Sequence, residues 1–305
     1  MNLTGRVAVV TGSGRGLGLA YAEALAGAGA AVVVNDIDAD AAEHAVRRIR
    51  QLGGSAVAEV VAVGSTDAAD QLVDRAVSAF GHLDVMVTNA GILRDRVLWK
   101  MTDEDFDAVV EVHLRGTFTC ARAAAVQMRA QGSGGRLILA ASPAGQRGNF
   151  GQTNYASAKA GIAAMARTWA LELAKAGITA NAIVPVAATD MTRTIPAFAP
   201  YVEALEQRDE PLPSWLRHEE GFGTAQDVAG LAVFLASDAA AGVTGQAIGI
   251  GGDKLSLWAH PHEREVAYAE GGWTADAIAA AWPAGFGSTP ETYGIPMPAV
   301  PAGQS

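Results

Sequence analysis

The stretch VVTGSGRGLGLA, residues 9–20, decides the fold. A β-branched run ends at Thr11, and Gly12, Gly14, Gly16 and Gly18 then crowd a single turn before an alanine-rich helical pattern opens. Glycine lets a backbone approach a pyrophosphate closely, and the N-terminus of the next helix offers free N–H groups and a positive dipole end. A glycine turn by itself has a plainer, structural use. Its place between a first strand and a first helix favours a dinucleotide site built from Gly12, Ser13, Arg15, Gly16, Leu17 and Gly18. The spacing is G-x-x-x-G-x-G, not the G-x-G-x-x-G of the other dinucleotide fingerprint.

Working outward, the same alternation repeats. Residues 6–11, 31–36, 56–63, 83–89, 136–142, 178–184 and 246–250 read as strands, most too uniformly apolar to have a wet face. Helical patterns fall near 16–28, 39–52, 67–80, 103–130, 153–175 and 225–236. Alternating strands and helices with right-handed crossovers imply an α/β, Rossmann-type, doubly wound parallel sheet of about seven strands with helices on both faces. Residues 1–252 are expected to form this one domain. Within it, residues 190–222 are Pro-rich and of mixed charge, the pattern of an irregular substrate loop or lid. Residues 253–305 read as a C-terminal extension with one or two short helices and a Pro/Gly-rich end, too small for a separate domain.

Composition narrows the function classes. A net charge of −10 argues against nucleic-acid and anionic-membrane partners, which need a basic surface. No apolar run approaches the ~20 residues of a membrane span. The N-terminus carries no signal-peptide pattern and the C-terminal PAGQS is no peroxisomal address, so a cytoplasmic location is expected. Cys120, the one cysteine, has no thiolate-activating neighbours and reads as a space-filler.

The second strand ends in VVVND, residues 32–36. An acid at that point, about twenty residues beyond the glycines, hydrogen-bonds the adenosine ribose and repels a 2′-phosphate. Asp36 therefore favours NAD, against the counter-signal of Arg15, which could pair with a 2′-phosphate. Asn35 and Ile37 could line the adenosine pocket or fill the sheet edge. TNAG, residues 88–91, adds Asn89, Ala90 and Gly91 to the expected cofactor contacts, with Asn89 equally able to brace neighbouring strands.

The chemistry sits further along. Ser142 ends the fifth strand, and thirteen residues later comes Tyr155-x-x-x-Lys159. Together TGSGRGLG, TNAG, Ser142, YASAK and the late VTGQAIGIGGD resemble the short-chain dehydrogenase/reductase family across about residues 5–252. GILRDR (91–96), VHLRGTF (112–118) and GNFGQTNYASAKAGI (148–162) look closer still to the (3R)-hydroxyacyl-CoA dehydrogenase unit of peroxisomal multifunctional β-oxidation enzymes. The resemblance implies that Tyr155 is the acid/base, that Lys159 lowers its pKa and holds the nicotinamide ribose, and that Ser142 orients the substrate oxygen. The residue types suit those roles. Tyrosine has an ordinary pKa of about 10, and a nearby ammonium favours its phenolate.

Several positions depart from the family pattern. His113 stands where an asparagine usually supports a proton-relay water, and could serve that water or pack its helix. The acid common near the end of strand three falls at Gly64, leaving Ser65 or backbone to substitute. The P-G after strand six becomes Pro185-Val186, so Val186 backbone and Thr189 are expected at the carboxamide. Between Ser142 and Tyr155, the residues Gln146, Asn149, Phe150 and Gln152 are expected to face substrate.

Arg94, Arg96 and Arg115 could meet a CoA phosphate or form surface ion pairs. His260 and His262 lack the cysteine or carboxylate company of a metal site, and no metal is expected. These readings converge on an NAD-dependent enzyme acting on a 3-hydroxyacyl-CoA and assembled as a homo-oligomer, tetramer or dimer. A hydroxysteroid or other secondary-alcohol dehydrogenase, a ketoreductase, and a non-catalytic dinucleotide sensor are the rivals.

Overall fold

The computed structural model describes residues 1–296 apart from 194, 196, 209, 284 and 289. The cofactor half begins with β1 (Val7–Val10), α1 (Gly16–Gly27), β2 (Ala31–Asp36), α2 (Ala39–Gln51), β3 (Ser55–Val60) and α3 (Thr66–Phe80). Then follow β4 (Val85–Thr88), α4 (Asp103–Val110), α5 (Gly116–Gln131), β5 (Gly135–Ala140), α6 (Pro143–Arg147), α7 (Thr153–Glu172) and β6 (Ile178–Pro185). The chain continues through α8 (Asp190–Arg193), α9 (Ala199–Arg208), α10 (Ser214–His218), α11 (Ala225–Ala236), β7 (Ala247–Gly251), β8 (Lys254–Leu257) and α12 (Ala275–Ala281).

The strands form one sheet in the order β3-β2-β1-β4-β5-β6-β7-β8. β1 to β7 are parallel, and the order reverses between β1 and β4. In such sheets the crevice beyond the strands' C-terminal ends at this switch point receives the ligand. One apolar core joins α1, α2 and α11 to one face of the sheet, and a second joins α3, α5 and α7 to the other. Covering both faces explains why the strand sequences do not alternate. α2 shows the local logic: Asp38 accepts the Asp40 and Ala41 amides as N-cap, while Ala42, Ala45, Val46 and Ile49 bury one stripe.

Three differences from the sequence reading have physical causes. An eighth strand, β8, runs antiparallel to β7 and opens what the sequence presents as extension. Its KLSL is short and largely exposed, and Gly252, with φ 52°, makes the tight turn before it. The expected helix 103–130 is broken by a π turn at Glu111–Arg115, which places His113 inward. Residues 190–222 are not wholly irregular: they carry α8, α9 and α10 and gather a small core of Val202, Leu212, Trp215, Leu216 and Phe222. Phe198 stacks on Phe222 there at 4.4 Å. The last stretch of the extension, 297–305, lies outside the described residues.

Candidate active site

The glycine turn works through close contact. A Cβ on Gly12 would sit 2.7 Å from the Ala90 Cα, and one on Gly18 would collide with the Gly12 carbonyl oxygen. The first helix turn is thus pressed against the end of β1, as a pyrophosphate cradle requires. Asn89 holds the same turn, its amide donating to the Thr11 and Gly12 carbonyls at 3.1 Å each, while Thr11 Oγ1 accepts the Asn89 and Ala90 amides. The bracing role of Asn89 is therefore visible directly. Asn35 braces too, donating to the Glu59 and Val61 carbonyls, while Ile37 lies exposed beside it.

At the end of β2, Asp36 is nearly buried, one oxygen accepting the Gly14 amide at 3.0 Å and the other the Asp38 amide at 3.2 Å. Arg15 is exposed and paired with Asp38 at 3.1 Å. Two expected cofactor side chains point elsewhere. The Ser13 hydroxyl is fully buried and donates to Val10 O at 2.7 Å, and Ser65 caps α3 by accepting the Ala68 amide at 3.1 Å. A hydroxyl already satisfied by backbone has little left for a ligand. Both polar groups of the Val186 backbone are likewise taken, its N–H by Ile250 O at 2.9 Å and its carbonyl by the Gly223 amide at 3.4 Å. Leu17, Pro185, Val186 and Thr189 all line the large cavity.

The expected reaction centre is assembled by two helices. Ser142 is the N-cap of α6, its Oγ accepting the Ala144 amide at 3.2 Å, with Pro143 opening the helix. Gly145 lets α6 lie on α7, since a Cβ there would meet the Ala160 nitrogen at 2.6 Å. That contact brings Ser142 to Tyr155. Lys159, one turn on, is buried, donates to the Ala140 carbonyl, and has its Nζ 5.5 Å from the Tyr155 ring centre.

The electrostatics differ from the simple expectation. Burial pushes the Tyr155 phenol up, a hydrogen bond from Ser142 pulls it down, and the Asp95 carboxylate pushes it up again. Burial also brings the Lys159 ammonium down from 10.5 to about 7. An ammonium that surrenders its own charge near neutrality cannot fully offset the desolvation of the phenol beside it.

His113 is buried, its ring edge-on to Tyr155 at 5.1 Å. Its Nε2 lies 2.8 Å from the Ile92 carbonyl and 3.0 Å from the Ile92 amide, so the tautomer decides which bond forms. Its Nδ1 has no hydrogen-bond partner among the described residues. Burial first, then the Lys159 charge, lowers its pKa to about 3, keeping the ring neutral. Gly91 exists to admit this ring: a Cβ there would overlap His113 Cε1.

Beyond Ser142 and Tyr155 opens a cavity of about 370 Å³. Asn149 and Gln152 line it, the Asn149 amide donating to Gln152 Oε1 at 2.9 Å and the Gln152 amide to Asp95 Oδ2 at 2.8 Å. Phe150 and Gln146 do not line it. Phe150 turns into solvent at 84% exposure, and the Gln146 Nε2 is buried without a hydrogen-bond partner among the described residues. The cavity also takes in Ile195 and Phe198 from the 190–222 stretch, and residues with no individual signal in the sequence: Leu93, Trp258 just past β8, and Ile295 and Pro296. Only α6 had a readable signal, a serine cap followed by proline at the first helical position. Among the described residues no cluster of three metal-ligating side chains occurs, and His262 Nδ1 lies 3.0 Å from the His260 carbonyl. Cys120 is buried, and burial pushes its thiol up to about 12.

A doubly wound sheet with a glycine cradle at its switch point and an apolar cavity beside it defines a dinucleotide-dependent oxidoreductase. Residues 12–252 match the family model described as enoyl-(acyl carrier protein) reductase. A hydroxyacyl-CoA dehydrogenase of Mycobacterium tuberculosis is 41% identical over 86% of this chain and 82% of its own. A 3-oxoacyl-[acyl-carrier-protein] reductase of Synechocystis is 42% identical over 82% of this chain and 97% of its own. The mouse peroxisomal multifunctional enzyme type 2 is 44% identical over 72% of this chain, which spans 30% of that longer protein. A crystal structure of a short chain dehydrogenase from Mycobacterium avium superposes with a TM-score of 0.81 at 34% identity, covering 97% of this chain and all of its own. The chain belongs to the short-chain dehydrogenase/reductase family and is an oxidoreductase with a nicotinamide dinucleotide cofactor.

Proposed function

We propose that this protein is an NAD-dependent dehydrogenase that interconverts a 3-hydroxyacyl-CoA and its 3-oxoacyl-CoA. The observation that carries the reading is the meeting of Ser142 and Tyr155 at an apolar cavity beyond the C-terminal ends of the strands, with Lys159 buried beside the Tyr155 ring. A nicotinamide dinucleotide held over the Gly12–Gly18 turn would supply the hydride acceptor or donor. Tyr155 takes or gives the hydroxyl proton at its phenolic oxygen. Ser142 donates its one hydroxyl proton to the substrate oxygen, orienting it and favouring negative charge that develops there. Lys159, fixed by the Ala140 carbonyl, holds the nicotinamide ribose, and neutral His113 positions the Tyr155 ring from its edge.

For the cofactor, Asp36 is locked by two amides at the place of the adenosine ribose, and Asp38 partly neutralises Arg15. A 2′-phosphate would face two carboxylates, which supports NAD. Arg94, adjacent to the cavity-lining Leu93, is exposed, as an anionic CoA requires. Arg96 and Arg115 are held by ion pairs, to Asp105 and Glu111, each at 3.5 Å. Exposed Phe118 and Val126 on α5 and Leu171 on α7 support a homo-oligomer packed through those helices.

The test is purified protein with NAD or NADP and a panel of 3-hydroxyacyl-CoAs, free secondary alcohols and hydroxysteroids, followed by NADH or NADPH absorbance. The expected result is highest kcat/KM with a thioester and NAD. Turnover of free alcohols or hydroxysteroids with no thioester active overturns the CoA assignment. A preference for NADP moves cofactor choice from Asp36 to Arg15.

A further inference from the structure

The extension returns to the site. After α12 the chain runs back to the end of α6, where Arg147 grips it: the Gly294 amide donates to the Arg147 carbonyl at 2.7 Å, Arg147 Nε donates to the Gly294 carbonyl at 2.8 Å, and Arg147 Nη2 donates to Thr292 Oγ1 at 2.9 Å. Glu291 is tied back to Arg264 at 2.8 Å. Gly294 has φ 83°, a left-handed conformation that glycine adopts freely, so the chain kinks at the grip. Burial follows the kink. Residues 291–293 are exposed, with Tyr293 at 92%, whereas Gly294 and Ile295 are partly covered.

Past the kink, Ile295 and Pro296 join Ser142, Tyr155, Ile195 and Phe198 around one cavity. The anchor and the reaction centre share a helix, because Ser142 caps α6 and Arg147 is its last residue. A tail held by three hydrogen bonds, two of them from one guanidinium, is placed by design of the local sequence. It brings two apolar residues, Ile295 and Pro296, to a cavity that Ser142 and Tyr155 also line.

We infer that Ile295 and Pro296, held in place by the Arg147 grip on Thr292 and Gly294, form a wall of the acyl-binding cavity and that Ile295 sets how long or bulky an acyl group the enzyme accepts. This rests on the substrate reading above and deepens it: the thioester substrate's apolar end meets the chain's own tail. Burying one methylene is worth about fourfold in an equilibrium or rate ratio. Opening the wall therefore changes selectivity along a homologous series instead of changing all rates together.

The experiment measures kcat/KM with NAD for short and long 3-hydroxyacyl-CoAs in the full-length protein and in Ile295→Ala, Ile295→Trp and Arg147→Ala. The ratio of long to short substrate should rise by about fourfold per methylene accommodated in Ile295→Ala, fall in Ile295→Trp, and rise in Arg147→Ala. Ratios unchanged in both Ile295 variants overturn the inference.

Hydrogen exchange at the Gly294 amide gives a readout independent of turnover. It should be at least about tenfold protected in the wild type and lose that protection in Arg147→Ala. If no thioester is turned over, the substrate reading fails by itself. The wall is then judged by this amide: unprotected exchange in the wild type, or protection indifferent to Arg147→Ala, overturns it.

Discussion

Lys159→Met should stabilise the cofactor-free protein while removing its activity. The side chain is 4% exposed, and burial lowers its pKa from 10.5 to about 7. At about 1.4 kcal/mol per pH unit, that drop corresponds to about 5 kcal/mol of cost whenever the folded protein must carry the charge. Methionine fills similar space without the charge, but leaves the Ala140 carbonyl without its donor, costing about 1–3 kcal/mol. The net gain is about 2–4 kcal/mol, or about 3–6 °C in Tm for a chain of this length.

The pH dependence carries the sharper signature. Below pH 7 the lysine is charged in both folded and unfolded chains, so the variant's advantage is full. Between about 7 and 10.5 the unfolded chain holds a proton the folded one has released, so wild-type stability gains on the variant as pH rises. Above that window the lysine is neutral in both states and the advantage is gone. Urea unfolding followed by circular dichroism at pH 6, 8 and ~10.5 measures it. A variant no more stable than wild type at pH 6, or an advantage that does not shrink as pH rises, refutes the reasoning.

Tyr155→Phe removes the proton-transferring oxygen and should lower kcat by about 10²–10⁴-fold, with the NADH dissociation constant, read by fluorescence, changing little. Turnover within a few-fold of wild type would remove Tyr155 from the acid/base role. Gly18→Ala drives a Cβ into the Gly12 carbonyl, so the glycine turn must open at a cost of about 1–3 kcal/mol. NADH binding should weaken by about tenfold or more in a fluorescence titration. Wild-type affinity would mean that the contact between α1 and the end of β1 does not shape the cradle.

The parts legible in the sequence were those fixed by local chemistry. The glycine turn announces itself because backbone approach requires residues without Cβ, and the apolar strands because both sheet faces are covered. Ser142, Tyr155 and Lys159 are readable as an ordered set, since α6 and α7 place them together through Gly145.

What escaped depends on partners distant in the chain. The Ser13 hydroxyl donates to the Val10 carbonyl and Ser65 Oγ accepts the Ala68 amide, bonds that the motif spacing does not display. The lid helices depend on Phe198 meeting Phe222, and the wall at Ile295 on an arginine 148 residues earlier, as 295 against 147 shows. The direction of the Tyr155 pKa was hidden for the same reason. Burial of the tyrosine and its lysine together is a property of the packed core, and the spacing of YASAK says nothing about it.

Arg217 has a mechanical consequence. It bonds Asp227 at 2.9 Å, in the first turn of α11, and Asp253 at 2.7 Å, in the turn before β8, so α10 is riveted to two other elements. The opposite end is tied by the Ala188 amide to the Gly223 carbonyl at 2.7 Å. A segment held at both ends resists hinging as one piece, and the stack of Phe198 on Phe222 ties its interior as well.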